Sequence, residues 1–244
     1  FMGDMLSGIN SQVQMAKGNF APTPVSVGDL FAGALLPGIL LVSLYLSYVL
    51  FKAATAPASC PATPVPADEK SQLVRDFFVA LVPPLLLILA VLGSILGGIA
   101  TPTEAASVGA VGAMVLAALR WRLSFRILRE TMIATATITS MVFIILLGAS
   151  VFSIVFRMMG GDNLVHEFLS NLPGGPLAAV AVVMIIMFFL GFILDTFEII
   201  FIVIPITAPV LLMLDIDPIW LGVLVGVNLQ TSFLTPPFGF ALFY

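Results

Sequence analysis

Residues 177–214 read LAAVAVVMIIMFFLGFILDTFEIIFIVIPITAPVLLML. The only charges in this stretch are Asp195 and Glu198, close together near its middle. Each flank is apolar over nearly the ~20 residues that a helix needs to cross a bilayer. Two carboxylates in such a run cost at least ~2.5 kcal/mol each by insertion scales, unless they are paired or hydrated. Two architectures accommodate them. Asp195-Thr196-Phe197-Glu198 is either a short external turn between two full crossings, or the tip of a re-entrant hairpin buried in protein or facing an aqueous cavity. Both make the chain an all-α integral membrane protein.

The rest of the sequence agrees. Of 244 residues, 60% are hydrophobic and 9% charged, with a mean hydropathy of +1.18. A soluble domain carries roughly 25% charged residues, and its exterior needs polar cover that this composition does not supply. Basic residues interleaved with aromatics along a stripe, as for nucleic acid, are missing. Cys60 and His166 are the sole residues of their types, which excludes a disulfide within these residues and any cysteine or multi-histidine metal cluster. No phosphate loop, nucleophile elbow or His-Glu-x-x-His motif occurs, so the chain is not expected to be an enzyme. Beginning at Phe1 and ending at Tyr244 inside an apolar run, it is expected to be a piece of a longer protein.

Outward from the hairpin, residues 1–24 read as a loop. Residues 30–51 form a span with a kink at Pro37-Gly38, and residues 53–76 a proline-rich linker. Spans over 77–103, 105–119 and 131–156 follow, then a polar connection over 157–176, the hairpin at 177–214, and a last broken helix over 219–244. Gly109 and Gly112 suit close helix packing. Arg120, Arg122, Arg126 and Arg129 mark a cytoplasmic loop. The linker bearing Lys52, Lys70 and Arg75 then lies on the same side, so seven of the nine basic residues are cytoplasmic. Residues 157–176 are external by the same parity, and His166 is expected to be a solvated loop residue there.

Three polar, helix-breaking stretches interrupt the apolar runs: 101–104 (Thr-Pro-Thr-Glu), 195–198 (Asp-Thr-Phe-Glu) and 231–237 (Thr-Ser-Phe-Leu-Thr-Pro-Pro). Backbone groups freed inside a bilayer cost several kcal/mol each unless protein or water satisfies them. Freed carbonyls with Thr, Ser and Asn side chains form a hard-oxygen shell suited to Na⁺, and half-helix ends add their dipoles. For Thr101, Thr103 and Glu104 a second reading stands beside the ion site: a turn at the membrane surface with a threonine capping the next helix. Pro236-Pro237 is more than a kink requires.

The segments GGIATPTEAA (97–106), SVGDLFAGALLPG (26–38), DIDP (215–218), VNL (227–229) and TPPFG (235–239) occur in the order of one known family. They resemble the large membrane subunit, or DctM-like permease, of the TRAP (tripartite ATP-independent periplasmic) transporters. The resemblance covers nearly the whole chain. It implies a multi-pass protein of the bacterial inner membrane with inverted repeats, re-entrant hairpins and broken helices of the ion-transporter, elevator type. Residues 1–76 would end the first repeat and residues 77–244 would form the second. It implies Na⁺-coupled import of organic anions such as carboxylates, with no cofactor beyond the coupling ion. Its partners would be a small DctQ-like membrane subunit, a DctP-like periplasmic binding protein and the lipid bilayer, but no nucleic acid. An ion and substrate site is expected from Gly191, Asp195, Thr196, Asn228, Thr231, Thr235, Pro236 and Gly239, with Na⁺ at Thr196, Asn228 and Thr235. Thr101, Thr103, Glu104 and Glu198 are secondary candidates.

Overall fold

A computed structural model describes residues 1–61 and 70–234. The described residues form helices with no strands, and five of these helices are long and apolar enough to cross a membrane: Val27–Thr55, Arg75–Leu96, Pro102–Leu119, Phe125–Met158 and Thr196–Met213. The chain is a polytopic all-α membrane protein. It divides into two compact units, one of residues 34–129, the other of residues 1–33 and 130–244. This division follows contacts and not repeats, and so cuts the chain differently from a split at residue 76.

In the 34–129 unit, α2 (Val27–Thr55, which begins in the other unit) holds Pro37 inside it and buries no residue. It is apolar around its whole circumference, as a lipid-facing helix is. Helix α3 (Lys70–Leu96) stops before Gly97, earlier than the sequence suggested. The Gly98 N–H donates to the Ile95 carbonyl and the Ile99 N–H to the Ser94 carbonyl, with Gly98 left-handed at φ 67°. That pair of bonds is the glycine-terminated Schellman end. Helix α4 (Pro102–Leu119) returns antiparallel along α3. A β-carbon on Gly109 would sit 3.3 Å from Val91 Cγ2, and one on Gly112 would run into Leu87. The two small residues set the approach of the helices, as expected from their spacing.

Helix α4 ends by the same bonding scheme, with the Trp121 N–H on the Ala118 carbonyl and the Arg122 N–H on the Ala117 carbonyl. Here the left-handed residue is Trp121, φ 54°. A bulky residue in that conformation costs roughly 1–2 kcal/mol that glycine would avoid.

The second unit contains α1 (Met2–Ala16), most of α5 (Phe125–Met158), α6 (Gly161–Ser170), α7 (Gly175–Leu190), α8 (Thr196–Glu198), a π-helical turn (Ile199–Val203), α9 (Ile204–Met213) and α10 (Pro218–Phe233). Two expectations are corrected here. Residues 1–24 are not a loop. Their first part is α1, which buries Leu6, Ile9, Asn10 and Val13 along one stripe against α9 and α10. Residues 19–26 then run back along α1, held by Asn10 Nδ2 donating to the Thr23 carbonyl (3.0 Å) and the Val25 N–H donating to Ser7 Oγ (3.2 Å). The connection over 157–176 likewise contains α6, which buries Gly161 and Leu169. His166 is solvent-exposed as expected, but on that helix.

Leu6, Val183, Met187, Ile199, Leu211, Leu221 and Val225 anchor one continuous apolar core shared by α1, α7, α9 and α10. Lys17, just past α1, donates from Nζ to the Leu212 carbonyl (2.8 Å) and to Asp215 Oδ1 (2.5 Å). A cation thus sits on the negative end of α9. Arg157 pairs with Asp162 at 3.5 Å. These are the two basic residues that the charge pattern leaves outside the cytoplasmic set, and each is neutralised by an acid.

Candidate functional site

Helix α7 has 16 residues, about 24 Å at 1.5 Å per residue, less than the ~30 Å of hydrocarbon in a bilayer. Gly191 to Leu194 then turn the chain, and α8, the π turn and α9 lead back without a break. The returning arm packs on α7. The two arms form an antiparallel pair with the four residues 195–198 at the turn.

Asp195 is the N-cap of the returning arm, with its Oδ1 accepting from the Thr196 N–H (2.7 Å). Glu198 Oε2 accepts from the Asp195 N–H (3.3 Å), completing a capping box. The carboxylates that look costly in sequence are therefore placed on a helix N-terminus, whose partial positive charge stabilises them. Between them, the Thr196 hydroxyl oxygen is buried and finds no hydrogen-bond partner among the described residues. An orphaned buried hydroxyl costs about 1–3 kcal/mol. One turn further on, the helix shifts to i→i−5 bonding, with the Ile204 N–H on the Ile199 carbonyl. Pro205, which has no N–H to offer, follows directly. Such π turns recur at functional sites.

Helix α10 brings its polar end against α7. Asn228 Nδ2 donates to the Met184 carbonyl (2.9 Å). Ser232 is 2% exposed, and its Oγ donates to the Leu229 (3.1 Å) and Asn228 (3.3 Å) carbonyls. Thr231 Oγ1 donates to the Asn228 carbonyl (2.6 Å) from an exposed position. A β-carbon on Gly191 would lie 2.6 Å from Ser232 Cβ and closer still to its Oγ. The end of α7 and the end of α10 thus meet at backbone distance. Ser232 was absent from the expected site. Its i, i+4 spacing from Asn228 was the available signal, since it puts both on one helix face.

Thr235, Pro236 and Gly239 lie outside the described residues. Thr101, Thr103 and Glu104 belong to the 34–129 unit. There the Thr101 N–H donates to Glu104 Oε2 (2.8 Å) and the Glu104 N–H to Thr101 Oγ1 (3.4 Å), a capping box at the start of α4. Thr103 gives its carbonyl to Ser107 Oγ (3.1 Å). Capping accounts for the first and last of these residues. Among the described residues no three of His, Cys, Asp or Glu gather as a metal cluster.

A short paired hairpin, a partner helix with a polar end and a set of apolar spans are features of a membrane transport protein. Residues 16–244 match the family described as "Tripartite ATP-independent periplasmic transporter, DctM component", and the chain belongs to that family. With its five apolar helices it is a multi-pass protein of the bacterial inner membrane. It is 32% identical over 225 residues to the C4-dicarboxylate TRAP transporter large permease protein DctM of Pseudomonas aeruginosa (91% of this chain, 51% of that protein). It is 28% identical over 228 residues to the sialic acid TRAP transporter large permease protein SiaM of Vibrio cholerae (89% and 50%). It is 27% identical over 220 residues to the ectoine/5-hydroxyectoine TRAP transporter large permease protein UehC of Ruegeria pomeroyi (89% and 50%). The chain spans about half the length of the curated relatives it matches. All three relatives are named as permeases and none as an enzyme.

Proposed function

We propose that this chain forms the second half of a Na⁺-coupled permease that imports an organic anion, working with a small membrane subunit and a periplasmic binding protein. The observation that carries the proposal is the buried, unpartnered Thr196 hydroxyl at the turn between the two paired arms. A Na⁺ ion there would take the Thr196 oxygen at the site's hairpin side, near the negative C-terminal end of α7. Asn228 would contribute from α10, and Thr235, outside the described residues, is the further oxygen that the resemblance implies. Gly191, pressed on Ser232, brings the end of α7 against the end of α10, an approach that a shared ion would require.

Carboxylates and other small organic solutes are what the named relatives carry, and a carboxylate substrate fits the same electrostatics. Bound Na⁺ supplies the charge that an anion needs beside Asp195 and Glu198, so ion and substrate would bind together. An elevator movement of the kind the family resemblance implies would carry the bound ion and substrate across.

The test is uptake by proteoliposomes holding the full-length protein with its small subunit and binding protein, with and without a Na⁺ gradient. Uptake should require both the gradient and the binding protein. Thr196→Ala and Thr235→Ala should each weaken the Na⁺ dependence. Unchanged Na⁺ dependence in both variants would sink the site assignment, and uptake indifferent to Na⁺ would overturn the mechanism.

A further inference from the structure

Helix α3 carries Pro83 and Pro84 inside it. Neither has an N–H, so the carbonyls one turn earlier, those of Val79 and Ala80, lose their usual helical donors. In a helix apolar enough to cross a membrane, a carbonyl left without a donor costs several kcal/mol. At Val79 the donor comes from another helix: Arg120 donates from Nη2 to the Val79 carbonyl. A bond from a guanidinium is charge-assisted, and so stronger than the neutral one that the proline removes.

Arg120 reaches this carbonyl along a packing seam. Gly109 meets Val91 and Gly112 meets Leu87 where α3 and α4 pack together. Steps of three or four residues stay on one face of a helix. The same register, carried two turns further along each helix, passes Pro83 and Leu116 and arrives at Val79 and Arg120. Arg120 is also the C-cap of α4, so α4 ends where the seam reaches the freed carbonyl.

The prolines divide α3 into two halves. The glycine contacts fasten the half that follows them to α4. The half that precedes them is tied to α4 by the Arg120 bond at Val79. Between the halves, two successive helical bonds are missing, and a helix bends most readily at such a place.

We propose that Pro83-Pro84 is a hinge in α3 and that Arg120 is its latch. With the bond made, the 70–82 half lies along α4. With it released, that half swings away while the seam at Gly109 and Gly112 stays closed. The device belongs to the 34–129 unit alone and does not depend on the ion site.

Spin labels at Gln72→Cys and Ala118→Cys, in the full-length protein freed of its other cysteines and held in lipid nanodiscs, measure the opening by pulsed dipolar spectroscopy. The wild type should give one narrow distance distribution. Arg120→Ala should broaden it and move it roughly 5 Å outward, the reach of a ~20° bend over the residues between Gln72 and the prolines. It should also lower the midpoint of thermal unfolding by a few degrees. Adding Pro83→Ala and Pro84→Ala to Arg120→Ala should restore the narrow distribution and most of the stability, because the backbone then supplies its own donors. Arg122→Ala should leave the distribution unchanged. The same distribution in the wild type and Arg120→Ala would overturn the proposal. So would equal broadening by Arg122→Ala, which would trace the effect to the charge of the loop. If Arg120→Ala does not fold, the variant that also lacks both prolines should, and its failure to fold would overturn the latch as well.

Discussion

Ser232 fills the space that a side chain at Gly191 would need. Its Cβ lies 2.6 Å from the position of a Gly191 β-carbon, and two bonds to its own helix keep its hydroxyl from swinging aside. Gly191→Ala should therefore push α7 and α10 apart, at about 1–3 kcal/mol by the usual cost of overpacking. Ser232→Gly opens that space again. A double-mutant cycle by thermal unfolding in detergent should show a favourable coupling of roughly 0.5–3 kcal/mol between the two substitutions. Additive losses would mean that the contact at this point is not tight.

Thr196 separates a role in binding from a role in folding. Replacing a buried, unpaired hydroxyl by a methyl group of similar shape removes a desolvation penalty of about 1–3 kcal/mol. Thr196→Val should therefore leave the fold as stable as before or somewhat more so. If the oxygen serves Na⁺, the same substitution should raise the Na⁺ concentration needed for half-maximal uptake. A residue that matters only to the fold would move both readouts together.

The capping box of α4 makes the opposite prediction. Thr101→Ala removes an N-cap, a loss of about 0.5–2 kcal/mol, and should lower thermal stability without altering the Na⁺ dependence of uptake. A large change in Na⁺ dependence would restore Thr101 to the ion site, where its residue type alone had made it a candidate.

These three positions differ in how far the sequence exposes them. The break at Asp195 was legible because charges inside an apolar run are expensive, and only a few structures tolerate them. Capping at Thr101 was legible because Thr-x-x-Glu has one well-defined use at a helix start. Helix α1 was not, since its buried residues come singly, a turn apart, in an otherwise polar stretch. The α9 surface that selects them lies nearly 200 residues away in the chain, where Lys17 meets Asp215. Ser232 was hidden for a related reason. Its importance comes from Gly191 on another helix, and no local pattern records that neighbour. Thr196 could be named as a polar residue in a break, but whether its hydroxyl was satisfied depended on packing around the turn.

Pro37 offers a test of the proposed movement. Having no N–H, it cannot donate to the carbonyl of Gly33, four residues earlier in α2. Gly33 is also the last residue of the hairpin unit before the 34–129 unit begins. The missing bond makes α2 easier to bend here than elsewhere along its length. Pro37→Ala restores the bond and stiffens the joint. It should raise thermal stability, by up to the ~3 kcal/mol that an interior proline costs a helix, and slow uptake several-fold. The Na⁺ concentration for half-maximal uptake should not change, because the ion site is untouched. Uptake rates measured in proteoliposomes at saturating Na⁺ decide the matter. A stabilised variant that transports at the wild-type rate would show that transport does not require α2 to bend at Pro37.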